Sequence, residues 1–397
     1  MQQVPPDEAN EVKRLARDDD GPEQVEPGIW RIPLPLPFAL RWANVYLIAG
    51  AGEYVLVDAG MGIPEDEAAL ASGLARAGIG LEKISTLVLT HSHPDHIGLS
   101  GPVQAASGAP VRMLAREAER LFQVWGDPDL AAFVHTNAMY AAHGMPAAEL
   151  ERALRVNRGV ARAIFLPPRA TVVPLADGDT LHLAGMDYTA IWTPGHADYH
   201  LCLLRADGVL IAGDHILPRI TPNIGLYPEA RPNPLRDYYE SLARVRDLPV
   251  RLVLPGHGRP FANLAGRVDE LRRHHEERAD QTLAALAAYP SGANAYTLAA
   301  ALFGARLRNA DDHRFALVET LAHLEDLRAR GRVERIAQPY DQGERITYVA
   351  RTVAGGASRR AGDGGAGRER REGRGARAAR GARGCFQRTR PNRRMRH

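Results

Sequence analysis

Cysteine is almost missing from this chain of 397 residues: only Cys202 and Cys385 occur. Two cysteines exclude a disulfide framework and a Cys-rich zinc finger. Lysine is equally scarce, because Lys13 and Lys83 are the only two among 50 basic residues. Arg is therefore the general cation, as a GC-rich coding sequence would give. No apolar run reaches the roughly 18 residues that a membrane-spanning helix needs. The first twenty residues, MQQVPPDEANEVKRLARDDD, lack the apolar stretch of a secretory signal. The expectation is a cytoplasmic protein with no membrane partner.

An excess of positive charge is also missing from most of the chain, although the total is +3. Residues 354–397 hold fourteen Arg against Asp363, Glu369 and Glu372, a net of +11, which leaves −8 for residues 1–353. The basic character belongs to the tail alone, and that argues against a nucleic-acid partner for the body.

What remains is ordinary globular material, 45% hydrophobic and 24% charged, and long enough for two domains. Residues 1–24 read as a disordered leader. Strand signals begin at Val25 with GIWRIPLPLP, NVYLIAG and EYVLVDAG, and KISTLVLT reads as a buried strand. An Ala-rich helix precedes it, from Pro64 to Ala77. Residues 116–164 carry helical periodicity in REAERLFQVW and MPAAELERALRVNRGVARAI and read as an inserted helical hairpin or cap. Strands then resume to about residue 265, giving an α/β layered domain over 25–265. Residues 266–350 read as helices followed by a short strand pair, a winged-helix-like module. Residues 354–397 are Gly/Arg-rich and cannot bury a core.

The informative stretch is THSHPDHIG, Thr90 to Gly98. It places His91, His93, Asp95 and His96 within six positions, directly after an apolar strand. Alternate residues at a strand end point the same way, so His91 and His93 can converge on one ion. A turn through Pro94 presents Asp95 and His96 to a neighbouring position. Imidazole and carboxylate donors suit zinc, and they accept iron or manganese. Three further candidates sit on short Gly-bearing loops after apolar strands: His196 in WTPGHADYH, Asp214 in IAGDHI and His257 in LPGHGRP. Ligands on loops held by a rigid sheet are where catalytic residues usually lie. There is no Gly-x-Ser-x-Gly elbow, and Cys202 lies inside an apolar strand, so no covalent nucleophile is indicated.

With these motifs the chain resembles the metallo-β-lactamase-fold hydrolase superfamily over about residues 25–265. HSHPDH matches that family's His-x-His-x-Asp-His signature. The resemblance implies an αββα sandwich with two divalent ions, most simply Zn2+, at one edge. It implies that His91, His93 and His196 bind one ion, Asp95, His96 and His257 bind the second, and Asp214 bridges them. It also implies supporting roles for Asp58 in VLVDAG and for His200. Catalysis would fall to Asp95 and Asp214 with a water whose pKa the ions lower toward about 7.

The full ligand set is similar to that of glyoxalase II, the quorum-quenching lactonases, and RNase Z and related nucleases. Hydrolysis of a small thioester, ester or lactone is the leading expectation. A phosphodiesterase or ribonuclease is the alternative, because a terminal winged-helix-like module also occurs in nucleases of this family. Against it, residues 294–350 hold eight Arg and eight acids, whereas phosphate binding needs clustered positive charge. A mononuclear iron persulfide dioxygenase is a further alternative. His135, Tyr140 and His143 in the cap and Tyr227 after the Asp214 loop are candidate substrate contacts, with packing as the plainer reading of the cap residues. The terminal module reads as a packing or dimerisation element, compatible with a homodimer acting on a small-molecule substrate.

Overall fold

The structure, a computed structural model, describes residues 21–37, 40–340 and 343–351. The expected tail at 354–397 lies outside the described residues, as does the expected leader up to residue 20. The last residues of that leader are already in a sheet, because β1 (Glu23–Glu26) pairs with β2 (Ile29–Pro35).

Side-chain alternation sets the layers. In β3 (Trp42–Gly50), Val45 and Leu47 enter one core and Tyr46 and Ile48 enter another. A strand apolar on both faces must lie between two other layers. β4 (Glu53–Val57), β5 (Thr86–Val88), β6 (Val111–Leu114) and β7 (Val172–Leu175) complete a seven-stranded sheet in sequence order. Pairing is antiparallel from β1 to β4 and parallel from β4 to β7. The second sheet is built from β8 (Thr180–Leu183), β9 (Met186–Trp192), β10 (Leu201–Arg205), β11 (Val209–Gly213) and β12 (Leu252–Pro255), in the order β12-β11-β10-β9-β8. Only its β11–β12 pair is parallel.

Tyr46, Val57 and Val88 of the first sheet meet Tyr188, Leu201, Ile211 and Leu254 of the second in a shared inner core. Outside the first sheet, Leu70 and Leu74 of the helix Pro64–Arg76 pack on Ile32 and Leu56. Outside the second, Tyr238, Leu242 and Val245 of the helix Pro234–Arg246 cover Cys202, Leu210 and Val253. This is the αββα sandwich, with Cys202 buried in the outer core.

The insert differs from a hairpin. Three helices fill it: Ala115–Trp125, Ala131–Ala142 and Ala147–Ala161. The middle one, AAFVHTNAMYAA, lacks a single apolar stripe, so the 3.6-residue signal fails there. Asp127 starts it by accepting from the amides of Asp129 and Ala131. After the sandwich come the helices Leu264–Ala287, Ala295–Phe303 and Ala310–Ala329 and a hairpin of β13 (Val333–Tyr340) and β14 (Gly343–Ala350). The boundary at 265 is not a clean cut: Leu264, Val268 and Leu271 lie in the sandwich's outer core, together with Ala322. Tyr140 and Met145 of the insert share a core with Leu298, Leu317 and Tyr348 of the terminal module.

Candidate metal centre

Each candidate ligand stands at a strand end, and the topology brings those ends together. His91 and His93 follow β5, His196 follows β9, Asp214 follows β11 and His257 follows β12. β11 and β12 run parallel with Gly213 opposite Pro255, so Asp214 and His257 leave the sheet side by side. The two sheets are stitched at this edge: the amide of Leu201 donates to Thr90 O at 2.8 Å and that of Asn44 to Gly256 O at 2.7 Å. His93 begins the short helix Pro94–Ile97, which carries Asp95 and His96.

All seven candidates converge. His91, His93 and His196 form one group, and Asp95, His96 and His257 a second, each with ligand atoms within 4.8 Å of one another. His91 Nε2 lies 3.0 Å from His93 Nδ1. Asp214 stands between the groups. Its Oδ1 is 3.6 Å from His96 Nε2, and its Oδ2 is 3.5 Å from His196 Nε2 and 3.2 Å from His257 Nε2. Asp95 Oδ2 lies 3.3 Å from His257 Nε2. Gly256 makes this approach feasible, because a Cβ there would sit 2.1 Å from Asp214 Oδ1.

In His96, His196 and His257 the outward ring nitrogen is held, while the inward one has no hydrogen-bond partner among the described residues. His96 Nδ1 donates to Asp58 at 2.8 Å, His196 Nδ1 to Asn223 O at 2.9 Å and His257 Nδ1 to Trp42 O at 2.7 Å. Each such bond fixes the tautomer and leaves a lone pair on Nε2. Those Nε2 atoms of His96, His196 and His257, and Asp214 Oδ1, are buried without hydrogen-bond partners among the described residues. Buried orphan acceptors of this kind are costly unless a cation satisfies them. The donor set fits divalent metal ions.

Electrostatics divide the cluster. Burial, then neighbouring imidazoles, hold His91 well below the ordinary histidine range; burial and His196 push His93 down to about 3. Burial also opposes charge on His96 and His257. There the carboxylates win: Asp214, Asp58 and Asp95 hold His96 well up, and Asp214 and Asp95 raise His257 to about 10. Burial would raise Asp214, but His257 and His96 hold it well below the usual carboxylate range. Without metal, protons on the second group do a cation's work, so metal binding there must release them.

Asp58 does more than the sequence implied. It sits at φ +63°, an uncommon backbone for a residue with a Cβ. Its carboxylate accepts from Thr90 N at 2.8 Å, Thr90 Oγ1 at 2.9 Å and His96 Nδ1 at 2.8 Å. Thr90 Oγ1 in turn accepts from His91 Nδ1 at 3.0 Å. One carboxylate thus orients a histidine of each group. His200 bonds Thr193 Oγ1 and accepts from the Asp214 amide at 3.1 Å, so it anchors the Asp214 loop.

Several supporting residues carried no sequence signal. Buried Glu117 accepts from Ser92 N at 2.8 Å and Ser92 Oγ at 2.6 Å, and Trp125 Nε1 donates to Ser92 O. The insert's first helix therefore clamps the residue between His91 and His93. Asn223, whose carbonyl orients His196, is reached from the terminal module by Glu319 at 3.4 Å.

The candidate substrate contacts in the cap are placed differently. Tyr140 is fully buried in the core between insert and terminal module, and buried His143 stacks on Tyr348. His135 is exposed and pairs with Glu229 at 3.2 Å. Tyr227 packs at the edge of the same core. Packing accounts for Tyr140 and His143, because the middle helix serves as the seam between the two parts.

A family model described as the metallo-beta-lactamase superfamily matches residues 42–257, and one described as the metallo-beta-lactamase-like C-terminal domain matches residues 279–344. The chain is similar to a solved metallo-beta-lactamase family protein from Thermus thermophilus, at 36% identity and TM-score 0.72, covering 83% of this chain and 100% of that one. A solved beta-lactamase domain protein from Burkholderia ambifaria is 29% identical with TM-score 0.71, covering 83% and 94%. Among curated proteins, an atrochrysone carboxyl ACP thioesterase from Aspergillus fumigatus is 26% identical over 64% of this chain, which spans 62% of that protein's length. A probable metallo-hydrolase from Bacillus subtilis is 28% identical over 60% of this chain and 74% of its own.

Proposed function

Because the chain belongs to the metallo-beta-lactamase superfamily, we propose that it is a dinuclear metal-dependent hydrolase that cleaves a thioester, ester or lactone. The observation that carries this reading is Asp214, whose two oxygens face histidines of different groups at 3.2–3.6 Å. Two divalent ions held by the groups would supply Lewis acidity and a water acidified toward neutral pH. Zinc suits the donors, and iron or manganese fits the same set.

The chain's own residues supply the rest. Asp95, the more open of the two acids, is placed to accept a hydrogen bond from the attacking water and so aim it. Asp214 holds the two groups at one spacing. Asp58, through His96 and Thr90, keeps the ring lone pairs inward. The thioester class is supported by the relative that is an acyl-carrier-protein thioesterase.

The test is metal analysis of the purified protein beside turnover of acetyl-CoA, S-lactoylglutathione, an acyl-homoserine lactone, bis-p-nitrophenyl phosphate and RNA. Two metal equivalents and carboxyl turnover, both lost in Asp214→Ala with the fold intact by circular dichroism, are expected. Phosphodiester turnover alone, or full activity in Asp214→Ala, would overturn the reading.

A further inference from the structure

We propose that Glu117 of the insert and Glu319 of the terminal module are positioning residues for the first metal group, so that binding of its ion and docking of these two parts are one linked equilibrium; this rests on the dinuclear reading above. Ser92 lies between His91 and His93, and its amide, hydroxyl and carbonyl are all bonded to the insert's first helix, Ala115–Trp125. The amide and the hydroxyl donate to Glu117 Oε1 at 2.8 and 2.6 Å, and the carbonyl accepts from Trp125 Nε1 at 2.8 Å. That amide belongs to the peptide group shared with His91, and that carbonyl to the one shared with His93. Peptide groups are planar and rigid, so holding both planes restrains the backbone from which the two imidazoles project.

Glu117 is a costly residue for packing alone. It and Leu121 are the buried residues of their helix, and Glu117 has no exposed surface. An apolar side chain would fill that place without desolvating a carboxylate. Its Oε2 has no hydrogen-bond partner among the described residues, so the bonds it accepts there are the two from Ser92. The third histidine of the group is reached from the other side. His196 Nδ1 donates to Asn223 O at 2.9 Å, and Asn223 Nδ2 faces Glu319 Oε2 and Phe315 O, each at 3.4 Å. The loop of Asn223 rests along the helix Ala310–Ala329: Leu226 N donates to Val318 O at 3.1 Å, and Ile224 shares a core with Ala322.

The second group is oriented by the sandwich itself. Asp58 holds His96 Nδ1 and Trp42 O holds His257 Nδ1, both at the edge of the first sheet. Asp58 also serves the first group through Thr90, whereas the grips of Glu117 and Glu319 lead to the first group. Insert and module meet each other in one core through Tyr140, Met145, Leu317 and Tyr348. The appended parts thus dock as a unit against the loops of one ion. Coupling between two binding processes is reciprocal: the factor by which the docked insert strengthens the first ion is the factor by which that ion strengthens docking.

The experiment titrates zinc into the metal-free full chain against a competing chelator, with His91→Ala and His257→Ala identifying which equivalent belongs to which group. Glu117→Ala should weaken the first-group equivalent by roughly tenfold or more, the scale for losing a residue that orients a ligand, and change the other by less than about threefold. Glu117→Gln, whose amide oxygen can accept both Ser92 bonds, should recover most of the loss. Ser92→Ala removes only one bond and should act in the same direction by a smaller factor, which keeps the comparison available where Glu117→Ala does not fold. Glu319→Ala should weaken the same equivalent through Asn223. Hydrogen exchange gives the readout that a merely structural role would not move: filling the first-group site should slow exchange along Ala115–Trp125 in wild type and not in Glu117→Ala. Two wild-type equivalents that these variants weaken alike, or not at all, overturn the proposal and leave the dinuclear reading standing. Indifference to Glu319→Ala alone overturns the terminal module's part. A single wild-type equivalent that His91→Ala leaves intact overturns both. A single equivalent lost in His91→Ala and weakened by Glu117→Ala sustains the positioning role while the dinuclear reading fails.

Discussion

Replacing Asp58 by Asn changes almost no volume, yet it should loosen both halves of the metal centre. The carboxylate accepts three hydrogen bonds, from Thr90 N, Thr90 Oγ1 and His96 Nδ1. An amide keeps one oxygen, which can still accept from Thr90 N. Its NH2 then faces Thr90 Oγ1 and His96 Nδ1. His96 has two ways to respond. It can keep Nδ1–H against another donor, at a cost of about 1–3 kcal/mol for an unsatisfied buried group. Or it can move the proton to Nε2, the atom aimed at Asp214 and Asp95, and lose the lone pair that would ligate. Thr90 must reorient as well, which disturbs its bond with His91 Nδ1. Loss of such an orienting partner typically costs 10–100-fold in metal affinity, or about 1.4–2.7 kcal/mol. Zinc titration of the metal-free protein against a competing chelator should show both equivalents weakened in Asp58→Asn. Thr90→Val, which spares the His96 bond, should weaken chiefly one. Two zinc equivalents bound with wild-type affinity by Asp58→Asn would refute the argument.

Two other expectations concern stability. Asp66 is fully buried, accepts from Met61 N at 2.6 Å, and is raised to about 7 by burial, with Asp95 and Glu65 adding to the effect. The folded state therefore holds this proton more tightly than the unfolded chain does. The resulting stability is complete below about pH 4 and is lost as pH rises through about 7, a change of at most ~4 kcal/mol. Asp66→Asn should flatten that part of the profile in urea unfolding at pH 5, 6.5 and 8; parallel profiles for the two proteins would exclude it. Tyr140 is fully buried and its hydroxyl has no partner among the described residues. Tyr140→Phe should leave turnover within twofold and match or exceed wild-type stability by about 1 kcal/mol; a tenfold loss of kcat/KM would return Tyr140 to the substrate site.

The legible parts of the chain were those where chemistry is local. Six residues from His91 to His96 display their donors without help from the rest of the protein. His196, Asp214 and His257 were readable because each follows an apolar strand on a Gly-bearing turn, and Gly256 is one place where a side chain would collide with Asp214. The middle insert helix was not readable. Its apolar residues serve two neighbours at once and leave no single stripe, so periodicity gave nothing to detect.

The sequence by itself determined the donor atoms, the strands that carry them and the layering, because side-chain chemistry and alternation are written residue by residue. Only the tertiary structure decided which donors meet. The parallel β11–β12 pair sets Asp214 beside His257, and Asp58 reaches across 38 positions to His96. Glu117 of the insert grips Ser92. These are contacts between segments far apart in the chain. Their geometry follows from how whole sheets and helices pack, a property that no local stretch contains.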